Sequence, residues 1–207
     1  IPKVSSERRQ FVPIGYLDKE VICGDKIFFV DDASLFTFGV LTSTMHNAWM
    51  RKTCGRLESR YSYSNTIVYN NFPWPGFTGE ALSDKHRNAI EQTAQAVLDA
   101  RAQFADASLA DLYDPLTMPP ALLKAHQNLD AAVDAAYVPS GGKKAYASDA
   151  ERVAFLFELY QRVAYLNHQY EQSAVLNVTN HPAIAHPVPP ESTVRTGQSL
   201  ARVARVF

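Results

Sequence analysis

Short extended runs occupy the first part of the chain, and hydrophobic residues at helical spacing follow them. Residues 27–30, IFFV, lie between Gly24-Asp25 and Asp31-Asp32, which predicts a strand between two turns. After Ser34, a suitable N-cap, the period changes from that of a strand to that of a helix. The apolar residues of this second stretch are Leu35, Phe38, Val40, Leu41, Met45, Ala48 and Trp49. The polar triplet 42–44 predicts a break between two helices.

Residues 56–75, RLESRYSYSNTIVYNNFPWP, have a different pattern. Alternate tyrosines and the β-branched and aromatic run 67–69 favour extended chain. Pro73 and Pro75 exclude a helix interior. The segment therefore predicts a strand and loop that lead into a rigid aromatic linker. Its aromatic residues, with Trp49, are more typical of packing between a sheet and helices than of stacking on nucleic-acid bases. These aromatic residues are Trp49, Tyr61, Tyr63, Tyr69, Phe72 and Trp74.

The second half of the chain is predicted to be helical. Apolar residues follow a 3.6-residue stripe over 83–104, which begins with a serine that can cap a helix. Pro120 suits the first turn of a second helix ending near Tyr137. A capping-box pattern at 148–151 opens a third helix, which is expected to end near Tyr170.

These patterns predict an α+β protein. A small, mixed and mainly antiparallel sheet with helices is expected over residues 1–78, followed by an all-helical domain over 79–176. Residues 177–207 contain four prolines and have no hydrophobic periodicity, so an irregular tail is expected there.

Composition is that of a globular protein and argues against a membrane span. Of the 207 residues, 46% are hydrophobic and 20% charged, and no apolar run approaches the ~18–20 residues that a span needs. The net charge of −1 conceals a weak asymmetry. Residues 1–65 hold nine Lys and Arg against seven Asp and Glu, whereas the remainder holds eleven against fourteen. This balance permits a nucleic-acid face on the first third without requiring one.

The sequence lacks a complete catalytic or metal site. It has no glycine-rich phosphate loop, HExxH motif, nucleophile elbow or cluster of metal ligands. Cys23 and Cys54 stand outside any CxxC pair, which is typical of reduced thiols in a cytoplasm, with a disulfide between them as the alternative. Residues 70–74, NNFPW, are similar to an Asn-Pro-Pro-aromatic methyltransferase motif but lack its consecutive prolines, so no catalytic role is assigned. The first residue is Ile, which indicates an excised fragment or a processed product.

Polar side chains suited to reading bases alternate at Glu58, Arg60 and Ser62. In an extended strand, all three point to one face. A carboxylate accepts from cytosine N4, and a guanidinium donates twice to guanine O6 and N7, so Glu58 and Arg60 together can read a C·G pair. From the pattern alone, the alternative is a surface ion pair on an edge strand, which is common in proteins.

Three segments, in order, resemble the C-terminal part of a known enzyme family. They are IPKVSSERRQFVPIGYLD, ASLFTFGVLTSTMHNAWMRKTCGRLESRYSYSNTIVYNNFPWP and ASLADLYDPLTMPPALLKAHQNLDAAVDAAY. The family is the MmeI-like type IIG restriction–modification enzymes, which fuse an endonuclease, an adenine-N6 methyltransferase and a target recognition domain in one polypeptide. The resemblance covers roughly residues 1–170.

The resemblance implies that residues 1–78 are the later part of a target recognition domain and that a helical C-terminal domain follows. Its implied partners are double-stranded DNA and the upstream methyltransferase domain of the parent chain, in a bacterial cytoplasm. Cleavage and methyl transfer are expected to belong to the parent's missing part. S-adenosylmethionine, and Mg²⁺ for cleavage, are accordingly expected as cofactors of the parent and not of this fragment.

The resemblance also assigns roles to individual residues. The implied base-reading residues are Lys3, Asp25, Lys26, Glu58, Arg60 and Ser62. Lys3 with Asp25 suits one G·C pair, and Glu58 with Arg60 suits another. The residues expected to contact phosphates, which position the duplex without reading it, are Arg8, Arg9, Lys52, Arg56 and Ser64.

Two other functions are consistent with the sequence. In one, the helical half is a protein-interaction or scaffold module, and the first 78 residues cap it without touching bases. In the other, the chain is a free-standing transferase, which the missing cofactor motifs disfavour.

Overall fold

A small antiparallel sheet precedes a set of packed helices in the computed structural model, which describes residues 1–77, 81–176 and 194–196. The predicted α+β class is confirmed. The helices are α1 (Leu35–Thr42), α2 (Thr44–Thr53), α3 (Asp84–Ala102), α4 (Leu109–Leu112), α5 (Pro120–Ala136) and α6 (Asp149–Leu176). The strands are β1 (Val4–Ser5), β2 (Phe28–Val30), β3 (Gly55–Leu57), β4 (Arg60–Ser62) and β5 (Val194–Thr196). A π-helical turn (Asn65–Tyr69) and a 3₁₀ turn (Val138–Ser140) lie between them.

Serine side chains begin the helices at the predicted positions. The hydroxyls of Ser34 and Ser83 each accept a hydrogen bond from the amide three residues ahead, at 3.2 Å and 3.4 Å. Ser43 ends α1 and begins α2 with extended backbone, which confirms the break at 42–44. Each hydroxyl satisfies an amide that the first helical turn leaves without an intrahelical acceptor.

Long-range pairing builds the sheet. The central strand β4 pairs antiparallel with β1, where Val4 lies opposite Ser62, and with β3, where Leu57 lies opposite Arg60. The order is therefore β1-β4-β3, and the β3–β4 hairpin forms one edge. An isolated bridge joins the start of the chain to the residue before β2. The start and the end of the segment 1–62 therefore lie side by side in this sheet.

Gly39 allows three helices to meet in the core. A Cβ at this position would lie 2.8 Å from Ile90 Cγ2, 3.1 Å from Ala94 Cβ and 3.3 Å from Leu129 Cδ1. Such close approach leaves no room for a side chain, so the packing of α1 against α3 and α5 requires glycine here.

The aromatic residues predicted to pack between the sheet and the helices do so. Tyr61 is half-buried and packs against the core. The others are buried, namely Trp49, Tyr63, Tyr69, Phe72 and Trp74.

The expectation of extended chain at 67–69 is wrong, because these residues lie in the π-helical turn. The hydroxyl of Ser64 accepts a hydrogen bond from the Ile67 amide at 3.2 Å. The side-chain amide of Asn71 donates to the carbonyls of Thr66 and Ile67, at 2.8 Å and 3.1 Å. Local side-chain bonds therefore override the β propensity of the run.

The end of the chain differs from expectation in two respects. Helix α6 continues to Leu176, beyond the predicted end near Tyr170. The irregular tail predicted for 177–207 lies outside the described residues apart from β5, which pairs antiparallel with β2.

A partly buried carboxylate on α5 holds the first turn of α2. Asp130 accepts hydrogen bonds from the backbone amide and the hydroxyl of Thr44, both at 2.6 Å. Burial raises the pKa of Asp130 from 3.8 to about 6, although the bonds from Thr44 act in the opposite direction. Because the folded pKa lies above the unfolded one, the contribution of Asp130 to the free energy of unfolding is largest below pH 4. It falls as pH rises through about 6.

Replacing Asp130 by Asn is expected to remove this part of the pH dependence and to raise stability at pH 7.5 by about 1 kcal/mol. The amide keeps an acceptor for Thr44 and no longer buries a charge, although it loses the stronger charged bonds. Urea unfolding at pH 4.5 and at pH 7.5 measures the effect. Asp99→Asn, an exposed change on α3, is the control and should follow the wild-type pH curve. Asp130→Asn following that same curve would contradict the prediction.

Candidate nucleic-acid interface

The β3–β4 hairpin places Glu58 in its turn, so the predicted alternation of Glu58, Arg60 and Ser62 along one strand is wrong. Leu57 lies opposite Arg60, which leaves Glu58 and Ser59 as a two-residue turn. Glu58 has a φ of 57°, in the left-handed region. Two-residue hairpins require positive φ at the first turn position, because the turn must match the twist of the strands. Arg60 and Ser62 still share one face of β4.

Glu58 and Arg60 nevertheless meet at the hairpin tip, defined here as residues 57–60. Arg60 Nη2 donates to Glu58 Oε2 at 2.8 Å. The Glu58 side chain is 77% exposed and the Arg60 side chain 46% exposed, so neither is buried against the helical half. In this arrangement the two groups satisfy each other, and both remain open to an approaching ligand.

Lys3, Lys26 and Ser62 come together although they are distant in sequence. The Lys3 amide donates to the Lys26 carbonyl at 3.0 Å, and the Tyr63 amide donates to the Lys3 carbonyl at 2.8 Å. Lys3 Nζ lies 4.8 Å from the centre of the Phe28 ring, where a cation is attracted to the ring face. Lys26 is exposed, as is Asp25 beside it in the turn before β2. The predicted base-reading residues that lie on or beside β1 and the β3–β4 hairpin are thus Lys3, Lys26, Glu58, Arg60 and Ser62. The sixth, Asp25, lies next to Lys26 in the turn before β2.

A buried pair anchors the end of β4 to α2. His46 Nδ1 lies 3.0 Å from the Leu41 carbonyl, which can only accept, so we assign the ring proton to Nδ1. Nε2 then accepts from the Tyr63 hydroxyl at 3.1 Å. Burial lowers the pKa of His46 to about 4, against the effect of the Leu41 bond, so the ring is neutral. Tyr63 follows Ser62 directly, and this anchor therefore fixes the strand that carries Arg60.

The predicted phosphate-contacting residues have different surroundings. Arg8 and Lys52 are exposed, Lys52 in the last turn of α2. Arg9 Nη2 donates to the Ala110 carbonyl at 3.5 Å, across to the helical half. Ser64 caps the π-helical turn. Arg56 is also exposed, and its Nη1 donates to the Ser59 carbonyl within the hairpin at 2.9 Å.

Comparison with protein families matches both parts of the chain. The model for the MmeI target recognition domain matches residues 1–76, and the model for the MmeI C-terminal domain matches residues 82–167. The chain belongs to the MmeI-like family. The boundary between the two matches falls just after the FPWP segment, where the sheet region ends and α3 is about to begin.

Two relatives of this MmeI-like chain are much longer than the chain itself. DNA methyltransferase A of Bacillus subtilis (strain 168) is 38% identical over 163 residues, which are 79% of this chain and 17% of the relative. The Type IIL restriction–modification enzyme MmeI, solved in complex with DNA, is 50% identical with a TM-score of 0.73. That match covers 80% of this chain and 21% of MmeI. The chain therefore spans about a fifth of the length of these relatives.

The two matched segments of the MmeI-like chain share a buried polar network that sequence reasoning missed. Arg101 on α3 donates to the Ile14 carbonyl through Nη1 at 2.7 Å and to the Tyr113 hydroxyl through Nε at 2.8 Å. The Tyr113 hydroxyl lies 2.6 Å from His126 Nε2. Burial and then the Arg101 charge lower the pKa of His126 to about 3, so its neutral ring accepts the tyrosine proton. The available signal was a charged residue within an apolar helical stripe.

Clustered metal ligands and membrane-spanning helices are both absent from the described part of the MmeI-like chain. Among those residues, no group of three or more His, Cys, Asp or Glu side chains is placed to hold a metal ion. None of the helices described there is both long and apolar enough to span a bilayer. Cys23 and Cys54 are free thiols, and burial raises the pKa of Cys54.

Proposed function

We propose that this MmeI-like chain reads a DNA sequence on behalf of a longer restriction–modification enzyme. The observation that carries the proposal is the exposed Glu58–Arg60 pair at the hairpin tip. A carboxylate and a guanidinium side by side complement the cytosine N4 donor and the guanine O6 and N7 acceptors of one base pair. On binding, contacts to the two bases replace the bond that the side chains make to each other.

The neighbouring residues extend this reading surface. Lys3 with Asp25 is assigned to a second G·C pair, the ammonium donating to guanine and the carboxylate accepting from cytosine. Lys26 and Ser62, which the sheet brings beside Lys3, complete the base-reading set. Arg8 and Lys52, both exposed, are assigned to phosphates and position the duplex without reading it.

The parent enzyme is proposed to be an adenine-N6 methyltransferase of type IIG in a bacterial cytoplasm, with double-stranded DNA as its substrate. The likeness to a DNA methyltransferase and to a DNA-bound restriction–modification enzyme supports this reading. The upstream methyltransferase domain would flip and modify an adenine while this chain holds the flanking sequence. S-adenosylmethionine supplies the methyl group there, and Mg²⁺ would serve cleavage in the nuclease part. No residue of this chain is assigned to either.

Changing Glu58→Gly and Arg60→Gln together in the intact methyltransferase is expected to alter the base pair required at one position of the methylated site. Glycine suits the positive φ at position 58, and glutamine pairs with adenine N6 and N7 in place of guanine. Methylation on the original site should fall by about tenfold to a hundredfold, since each good bidentate contact contributes ~1–3 kcal/mol.

Methylation sequencing of genomic DNA from cells that express each protein measures the preference. Lys52→Gln is the matched control. It should keep the preference, weaken binding to all sequences, and reduce the slope of log affinity against log salt by about 0.9. An unchanged site preference in the double variant would overturn the base-reading assignment.

A further inference from the structure

We propose that Arg56 is a positioning residue for base discrimination and not a phosphate contact, an inference that rests on the proposed function of the hairpin tip. Arg56 belongs to β3 and lies opposite Tyr61 of β4. Sequence resemblance assigned it to the DNA backbone as one of several basic residues. Its surroundings in the folded chain indicate a different role.

The Arg56 side chain is exposed but makes two contacts within the hairpin. Nη1 donates to the carbonyl of Ser59, the second residue of the turn, at 2.9 Å. The guanidinium carbon lies 4.0 Å from the centre of the Tyr61 ring, in stacking contact with its face. Tyr61 in turn packs against the hydrophobic core. Arg56 therefore connects the exposed turn to a ring whose position the core determines.

The turn requires such a connection because its first residue has an unfavourable backbone conformation. Glu58 has a φ of 57° without being glycine. A residue in this region keeps its conformation only where its surroundings over-determine it. The strand register fixes one side of the turn, and the Arg56 bond to the Ser59 carbonyl fixes the other.

The conformation of this turn decides where the Glu58 carboxylate lies relative to Arg60. A base pair is read only when the carboxylate and the guanidinium are both in register with its two edges. A planar guanidinium that stacks and donates at the same time is well suited to this role, whereas an ammonium lacks the planar fork. Both residues are exposed, but Lys52 lies outside the hairpin, on the last turn of α2, where a phosphate can approach it without disturbing the turn.

The intact methyltransferase with Arg56→Lys, Arg56→Gln or Tyr61→Leu tests the inference, with Lys52→Gln as control. Two quantities are measured for each protein. The first is the ratio of the initial methylation rates on the enzyme's own site and on a site changed at the base pair assigned to Glu58 and Arg60. The second is the slope of log affinity against log salt.

If Arg56 positions the hairpin tip, all three hairpin variants lose about tenfold in the rate ratio and keep the wild-type slope. Failure of the charge-conserving Arg56→Lys to restore the ratio is the distinctive result. Lys52→Gln should do the reverse, with an unchanged ratio and a slope reduced by about 0.9. Arg56→Gln with that reduced slope, or Arg56→Lys with the wild-type ratio, would overturn the inference.

The outcome is separable from that of the proposed function. If Glu58→Gly with Arg60→Gln alters the site preference while the Arg56 variants keep their discrimination, only the positioning role is lost. If the double variant keeps the original preference, the base-reading assignment fails first and the positioning role fails with it.

Discussion

Replacing Arg101 by Met is expected to lower the free energy of unfolding by about 3–5 kcal/mol. Arg101 is only 8% exposed, and its guanidinium donates to the Ile14 carbonyl and to the Tyr113 hydroxyl. It also lies 5.3 Å from the centre of the Phe38 ring. Methionine keeps most of the side-chain volume but donates nothing, so a buried carbonyl loses its partner. An unsatisfied buried acceptor costs about 1–3 kcal/mol beyond the lost charged bonds.

Urea unfolding followed by circular dichroism measures this change. Arg87→Met on the same helix is the matched control, since the Arg87 guanidinium lies 4.6 Å from the centre of the Phe36 ring at a half-buried site. Losing that contact should cost less than about 1 kcal/mol. Arg101→Lys should be intermediate, because it keeps the charge but not the planar fork. Equal losses of unfolding free energy in Arg101→Met and Arg87→Met would show that the buried network contributes no more stability than the half-buried contact of Arg87.

The sequence determines the helices well because their signals are local. Ser34, Ser43 and Ser83 each stand directly before an apolar repeat, and each caps the helix that follows. A cap needs only a hydroxyl and an amide three residues away, so it is visible within a short window. Pro120 is a further example, since its fixed φ and missing amide suit the first turn of α5.

The hairpin turn could not be predicted because its residues carry no turn signal. Two-residue hairpins usually place Gly, Asn or Asp where φ is positive, whereas this one places Glu58 there. The alternation at Glu58, Arg60 and Ser62 therefore predicts a single strand. What overrides it is the pairing of β3 with β4, together with the bond from Arg56 to the turn. The residue types in this segment signal neither contact.

The assembly of the candidate site was also beyond local reasoning. Lys3 and Lys26 become neighbours of Ser62 only because β1 pairs with the distant strand β4. Family resemblance indicated which residues to consider, and the fold added which of them share a surface. It also distinguished exposed cations such as Lys52 from those, such as Arg9, whose guanidinium is bonded to the helical half.

Replacing Trp49 by Ala is expected to have the largest effect on stability, a loss of about 4–5 kcal/mol. Trp49 on α2 is 2% exposed, and its indole N–H donates to the Val68 carbonyl at 3.0 Å. Its ring centre lies 5.1 Å from that of Phe157 and 6.0 Å from that of Tyr160, both on α6. The substitution removes a large buried side chain, leaves a cavity, and takes the donor from the Val68 carbonyl.

The same residue joins the two matched segments, so its loss should also change how the chain unfolds. Trp49 lies within the target recognition match, and its α6 neighbours lie within the C-terminal match. With Ala at position 49, amide hydrogen exchange in α6 should accelerate more than exchange in α3, which packs against α1 and α5. Trp49→Phe, which keeps a ring but no donor, should cost about half as much. If Trp49 stabilises α6 through direct contact, the acceleration of exchange should be concentrated in α6. Equal acceleration in α3 and α6 would contradict this and would mean that Trp49 stabilises the whole fold evenly.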